Sequence, residues 1–255
     1  VVINFDLLKP FIIFNKPIPI GGILLYPVKM SDVLSFNGLI NSITIRKESI
    51  FPEKRILKMS YLEFLVFCKD NEEFATQYKK EWLIGCCMDM LHLMQLVCQT
   101  NDVSINLKTN VLYINGQQIS SDVFDNIRRI IFIQNDYDFN IDEFMNLETL
   151  TALENAKTFE ANKVKEKSDI EDYIDSLVIG LKMTKTEIEQ LTIREFWRYI
   201  KRLNKHEDYL AAISGQMSGM VSFKEPIRHW MASFDVEDKY SNVKTDESAL
   251  KDKMG

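Results

Sequence analysis

Apolar positions change their period several times along the chain, and each change predicts an element. In the first thirty residues two short apolar runs, Phe11-Ile12-Ile13-Phe14 and Ile23-Leu24-Leu25-Tyr26, are separated by Pro17, Pro19, Gly21 and Gly22. That pattern predicts two strands joined by a loop. Tyr26-Pro27 favours an extended exit, Ser31 or Asp32 can cap a helix running to about Ile40, and Ile43-Thr44-Ile45 reads as one more short strand. Ser60 and Glu63 have capping-box spacing, with Met59 and Phe64 in staple positions. From Glu72 to Gln99, Phe74, Tyr78, Leu83, Cys87, Met90, Leu91, Met94 and Val97 fall near one broad face, which predicts a single long helix. Val103 to Leu107 alternates at period two, as does Leu112-Tyr113-Ile114 before Asn115-Gly116, and together they predict a small meander. A helix from about Ser121 to Gln134 follows, with Phe124, Ile127, Ile130 and Ile131 inward and Arg128 and Arg129 outward or at the edge.

Beyond residue 140 the signals are helix caps around a polar stretch from Glu154 to Lys167, and past a boundary near 155–168 the chain turns wholly helical. Asn140 to Glu143 and Ser168 to Glu171 are cap-like spacings, while Thr184 with Glu187 and Thr192 with Glu195 are capping boxes with their staple residues in place. Ile193, Phe196, Trp197, Ile200 and Leu203 form an apolar stripe, and Tyr209, Leu210, Ile213, Met217 and Met220 form the next. The expected fold class is therefore α+β: small mixed or antiparallel β elements with helices in the N-terminal part, and an all-helical C-terminal part. The expected organisation is a mixed domain over 1–154, an acidic linker over 155–168, a helical domain over 169–235 and a polar tail over 236–255. Proteolysis should then cut first between Glu154 and Lys167 or after Val236.

Charge supports the linker. The chain of 255 residues has a formal net charge of −6, and eleven acidic against four basic residues lie between Asp138 and Asp175, so the remainder is close to neutral. Such a balance makes the whole chain a poor binder of polyanions. The most apolar stretch, Trp82 to Cys98, contains Asp89, His92 and Gln95 and is shorter than the ~20 residues that span a bilayer. With no basic and apolar leader at Val1 to Asp6, a cytoplasmic protein without a membrane segment is expected.

Candidate chemistry is sparse. Cys68, Cys86, Cys87 and Cys98 lack the paired spacing of a zinc site and read as reduced thiols, and His92 has no ligand-type residue at 88 or 96, so a packed core histidine is expected there. His206 and His229 have no neighbours that suggest a triad. Gly21-Gly22 reads as a turn rather than a phosphate loop, and Gly215 and Gly219 as a place where helices approach closely. No catalytic residue, metal or cofactor is expected, and the protein is read as non-enzymatic. One feature asks for a partner: Arg194, Arg198, Lys201, Arg202 and Lys205 recur at helical spacing opposite the stripe that includes Trp197. These six residues are the candidate partner-binding set. Preceded by the short helix at Thr184–Gln190 they outline a helix-turn-helix, but the connection has no glycine and the bulk charge is acidic, so a plain solvated face is the first reading, docking to an acidic protein surface the second and nucleic acid the last.

Four stretches occur in an order that resembles tail-assembly-chaperone-like proteins of phages and prophages of Gram-positive bacteria. They are Leu25-Tyr26-Pro27-Val28-Lys29-Met30, Met59 to Leu65, Phe124 to Ile131 with Gln134-Asn135, and Leu191-Thr192-Ile193-Arg194-Glu195-Phe196, the last continuing through Tyr209 to Trp230. The resemblance implies a non-enzymatic protein of the infected cell's cytoplasm that binds the helical tape measure protein and keeps it soluble during tail assembly. A structural tail or head-completion component, possible through self-association, and a nucleic-acid-binding regulator are the alternatives. Eleven methionines, several of them between Met88 and Met145 and between Met217 and Met231, either fill gaps in the core or offer an adaptable surface to a helical client.

Overall fold

In the computed structural model, which describes residues 5–51, 53–141, 155, 168–219, 223 and 226–234, the chain opens with a helix. The strand expected at Phe11 to Phe14 is instead the end of α1 (Phe5–Ile13). Leu8, Phe11 and Ile12 stand at helical spacing and turn together onto the core, which a run of four apolar residues read in isolation does not disclose. The hairpin that follows is β1 (Ile18–Ile20) and β2 (Ile23–Leu25), antiparallel with Ile20 opposite Ile23. Gly21 and Gly22 close it with φ of 58° and 83°, the doubly positive geometry that a two-residue turn between twisted strands requires.

α2 (Val33–Leu39) continues into a 3-10 turn over Ile40–Ile43, so no strand forms at Ile43 to Ile45. Ile43 and Ile45 are buried nonetheless, and Ser42 donates its hydroxyl back to the Leu39 carbonyl at 2.7 Å. α3 (Lys54–Lys58) leads to α4 (Tyr61–Asp70), which starts on the Ser60–Glu63 capping box as expected. The long helix expected over Glu72 to Gln99 is broken into α5 (Glu72–Gln77), a 3-10 turn (Glu81–Ile84) and α6 (Cys86–Cys98). Lys79 at φ 55° turns the chain between the first two. The break lets Phe74 stack on Phe51 at 5.0 Å between centroids while α6 buries Cys87, Met90 and Met94 elsewhere in the core.

The meander forms as the alternation predicts: β3 (Val103–Asn106), β4 (Val111–Ile114) and β5 (Gln117–Ile119) pair antiparallel, with Val103 opposite Ile114 and Leu112 opposite Ile119. Asn115 and Gly116, both at positive φ, make its second turn. α7 (Ser121–Gln134) follows, capped by the Ser120 hydroxyl, which accepts from the Val123 N–H. Its Phe124, Ile127, Ile130 and Ile131 are buried in the core, where the helix packs on α4 and on the β1–β2 hairpin. Arg128, expected at the edge, is buried.

Three helices complete the described chain: α8 (Ile170–Leu181), α9 (Lys185–Gln190) and α10 (Ile193–Met217). α9 and α10 start on the two capping boxes at Thr184 and Thr192. The cap of α8 is one residue later than the expected Ser168, because the Asp169 carboxylate accepts from both Glu171 and Asp172 N–H groups and Asp172 returns the bond. α8 and α10 run in the same direction: Tyr173 meets Trp197, and a Cβ on Gly180 would lie 2.7 Å from Leu203 Cδ2. α8 therefore ends beside Leu203, and residues 204–217 of α10 continue about 20 Å beyond it. Gly219, at φ 70° with nothing within 4 Å of where a Cβ would stand, follows the end of the helix in the left-handed conformation of a helix stop and is not a close-packing site.

A short stretch of main chain, Val28 to Met30, helps tie the helical region to the N-terminal region. Met30 N–H donates to Leu191 O at 2.8 Å, Ile193 N–H donates to Val28 O at 2.9 Å, and Lys29 Nζ donates to Gln190 Oε1 at 2.7 Å. Asn135, at the end of α7, accepts from Val28 N–H at 2.9 Å, and so fixes the same stretch from the other side. Leu177, Ile188, Ile193, Phe196 and Ile200 are continuous with the N-terminal core. The protein is α+β, with an N-terminal region that mixes short antiparallel strands with helices and a C-terminal region that is all-helical. The linker expected over 155–168 falls outside the described residues except at its two ends, the 236–255 tail does so entirely, and the cap expected at Asn140 to Glu143 does so in part.

Candidate functional site

α10 has two halves with different surroundings. In the first, Ile193, Phe196 and Ile200 are the buried residues, set by the tight start at Thr192 and by their spacing of three and four. In the second, none of the described side chains is buried: Leu210 is 52% exposed and Met217 is 83% exposed. The second apolar stripe is thus largely a surface feature. Of the methionines, Met30, Met90 and Met94 fill the core, whereas Met88, Met217 and Met231 are exposed.

The six candidate binding residues separate into three groups. Trp197 is half-buried, edge-on to Tyr173 and to Phe196 at 5.1 Å each, and so is part of the α8–α10 packing. Arg194 is half-buried, and burial followed by its neighbour Arg198 pushes its pKa down, while Lys201 Nζ pairs with Asp136 at 3.2 Å. Arg198, Arg202 and Lys205, at i, i+4 and i+7, form a line, and that line is already occupied.

The occupant is the chain's own segment His229–Phe234, which runs back along α10. The Phe234 ring lies 5.5 Å from the Arg198 guanidinium, 4.2 Å from that of Arg202 and 5.5 Å from Lys205 Nζ. Arg202 Nη1 donates to the carbonyls of Trp230 and, at 3.1 Å, Ala232. Lys205 Nζ donates to Ala232 O at 3.3 Å and Ser233 O at 2.9 Å. One turn further along, the Trp230 ring meets His206 at 5.0 Å and the His229 ring meets Tyr209 at 5.0 Å. Each ring over a cation contributes about 0.5–1 kcal/mol at an exposed site, so the strap is held by several weak contacts rather than by one strong one. Trp230 and Phe234 were not legible as site residues, because the aperiodic mix of rings, small and basic residues after Pro226 gives no sign of which helix it lies against.

A second concave region lies between α4 and α7, a cavity of about 190 Å³ lined by Ile45, Lys47, Tyr61, Asp125, Arg128 and Phe139 among others. Its polar groups are engaged with the protein itself. Arg128 Nε and Nη2 donate to Ile43 O at 3.0 and 2.7 Å, its Nη1 donates to Asp125 Oδ1 at 2.9 Å, and its guanidinium stacks 3.5 Å from the Tyr61 ring centre. Tyr61 in turn donates to Ser42 O at 2.9 Å and accepts from Ile45 N–H at 3.1 Å. Burial pushes the Lys47 ammonium pKa down, and its Nζ donates to the Met59 carbonyl. The group pins the irregular 42–45 segment to two helices.

All four cysteines are buried and unpaired with one another, and burial pushes the thiols of Cys68, Cys86 and Cys98 up to about 12 and raises that of Cys87. His92, expected to be a packed core residue, is exposed, because α6 turns Leu91, Leu93 and Met94 inward and leaves position 92 on its outer side. Among the described residues no group of three or more His, Cys, Asp or Glu is arranged to hold a metal ion, and no helix is long and apolar enough to cross a membrane. No curated protein and no solved structure matches the chain. Residues 162–235, which take in α8 to α10 and the strap, are similar to the family described as the YomV second domain.

Proposed function

We propose that the protein is a non-enzymatic, tail-assembly-chaperone-like protein of phages or prophages, which binds a helical tape measure protein in the host cytoplasm and keeps it soluble during tail assembly. The observation that carries this reading is the second half of α10, an amphipathic helix that extends about 20 Å past its neighbour with Leu210 and Met217 exposed. A client helix laid along it buries apolar area, while Arg194, Arg198 and Arg202 at the rim meet acidic side chains. Charge then raises the rate of encounter and apolar area sets the lifetime of the complex. The family resemblance supplies the identity of the client.

Co-expression with the tape measure protein followed by co-purification at moderate and high salt tests the reading. A complex that survives both conditions is expected, and it should weaken with Leu210→Ser and Met217→Ser together. Absence of a complex at either salt, with the protein present in finished particles, would replace the reading with that of a structural tail or head-completion component. Tight, steeply salt-sensitive binding to duplex DNA would replace it with a regulator.

A further inference from the structure

α1 is apolar on both of its sides. Leu8, Phe11 and Ile12 turn onto the core, while Leu7, Pro10, Ile13 and Phe14 stand on the opposite side at i, i+3, i+6 and i+7. Phe14 keeps that spacing although it follows the helix, because its N–H donates to Pro10 O at 3.3 Å. These outer side chains reach well into solvent: Leu7 is 70% exposed, Ile13 58% and Phe14 69%. A helix with apolar residues all round is by its pattern a buried helix, and the core of this chain covers one side of it. Charge borders the outer side, where Asp6 pairs with Lys9 at 2.7 Å and Lys16 Nζ lies 6.0 Å from the centre of the Phe14 ring. We infer that the outer side of α1 is the contact between two copies of this chain, packed antiparallel across a two-fold axis near Pro10.

The order of residues along α1 makes the face complementary to itself. Antiparallel pairing about Pro10 sets Leu7 of one copy against Ile13 and Phe14 of the other, and the same contact repeats across the axis, so the pair closes on itself. Lys16 then arrives within about one turn of Asp6 of the second copy, and unlike charges meet at both ends. A parallel pair would set Lys9 beside Lys9 and Lys16 beside Lys16. The area suffices for a weak but specific dimer. Leu7, Ile13 and Phe14 leave on the order of 400 Å² of apolar surface in water, as large as the patches that mark interaction sites. With Pro10 and the bordering charges, two copies have on the order of 1,200 Å² to bury, at the low end for a specific interface, which corresponds to self-association at roughly micromolar concentrations. The contact also leaves the client face open. Thr192 Oγ1, at the cap of α10, lies 3.4 Å from Asn15 Oδ1, so α10 starts beside the end of α1 and its exposed half begins about 17 Å further on. A dimer through α1 therefore carries two such halves, and a long client with repeated binding segments gains from engaging both.

Analytical ultracentrifugation of the 255-residue chain alone tests this. The weight-average mass should rise from one chain toward two over roughly 1–200 μM. Leu7→Glu and Phe14→Lys, each at an exposed position and each with unchanged far-ultraviolet circular dichroism, should stay monomeric over that range. An equimolar mixture of the two variants should recover the dimer, because antiparallel pairing brings the new Glu of one against the new Lys of the other while the second Leu7–Phe14 contact is intact. That recovery also shows that both variants are folded. Leu210→Ser with Met217→Ser should dimerise like the unaltered chain. A chain that stays monomeric throughout would overturn the inference, as would variants of Leu7 and Phe14 that still dimerise, a mixture that stays monomeric, or a dimer lost on altering Leu210 and Met217. Binding of a monomeric chain to vesicles of phosphatidylcholine and phosphatidylglycerol, abolished by Leu7→Glu, would overturn it in favour of a lipid surface. Since no tail protein is present, the result is independent of the co-purification that tests the proposed function.

Discussion

Arg128 is 4% exposed and tied to one carbonyl, one carboxylate and one ring, which makes it the most committed charge among the described residues. Arg128→Met keeps much of the stem but leaves Ile43 O without its two donors, and should cost about 1–3 kcal/mol in urea unfolding. Helical periodicity places this residue next to the inward face but says nothing of a long side chain that bends over Tyr61 to reach a distant loop. Phe196 and Trp197 show the opposite case, since their place on the inner stripe of α10 was legible from spacing alone. Phe196→Ala should cost roughly 3–5 kcal/mol, and Trp197→Ala, whose ring is only half-buried, measurably less. The buried thiols give a pH dependence with a defined sign. Their native pKa is about 12 for Cys68, Cys86 and Cys98 against an ordinary 9.0, so the native state holds its protons where the unfolded chain has released them. This contribution is complete below about pH 9 and is lost as pH rises toward about 12, so urea midpoints should fall through that window, and Cys98→Ala should flatten the fall.

At the level of elements, capping chemistry proved more informative than apolar runs. The boxes at Ser60, Thr184 and Thr192 each state a direction and a starting residue, and each helix begins there. Thr192→Ala should cost about 1–2 kcal/mol by thermal unfolding, as for a lost N-cap, with α10 losing helicity first at that end. Apolar runs of three or four residues have no period of their own, so Phe11 to Phe14 and Ile43 to Ile45 took forms that only their tertiary neighbours decide. The break between α5 and α6 was hidden for a related reason. The apolar face continues in register across it, while the turn at Lys79 serves the stacking of Phe74 on Phe51. The Gly21-Gly22 turn was legible, and its tightness adds a prediction: a Cβ on Gly21 would lie 2.7 Å from Val123 Cγ1 at a φ of 58°. Gly21→Ala should therefore destabilise by roughly 1–3 kcal/mol, with Gly22→Ala milder because only the Gln117 side chain is near it.

For the whole molecule, the continuous core predicts that the two regions unfold together. Trp82 reports from the N-terminal region and Trp197 from the helical one, so fluorescence of single-tryptophan variants and far-ultraviolet circular dichroism should give coincident urea transitions. Two separated midpoints would show that the helices melt on their own. The α+β class was legible because period-two alternation ends with the meander; the strap was not, because it depends on how a segment rich in rings folds back onto cations that precede it by some thirty positions. The tie between Lys29 and Gln190 spans 161 residues of sequence. A ribosome adds roughly 5–20 residues per second, so Val28 to Met30 wait on the order of 10–30 s after synthesis before Leu191 and Ile193 exist to pair with them. Throughout that interval the nascent chain displays an unsatisfied backbone edge beside Ile18, Ile23 and Leu25, and its solubility during translation depends on how soon the first strands are covered by α6 and α7 instead.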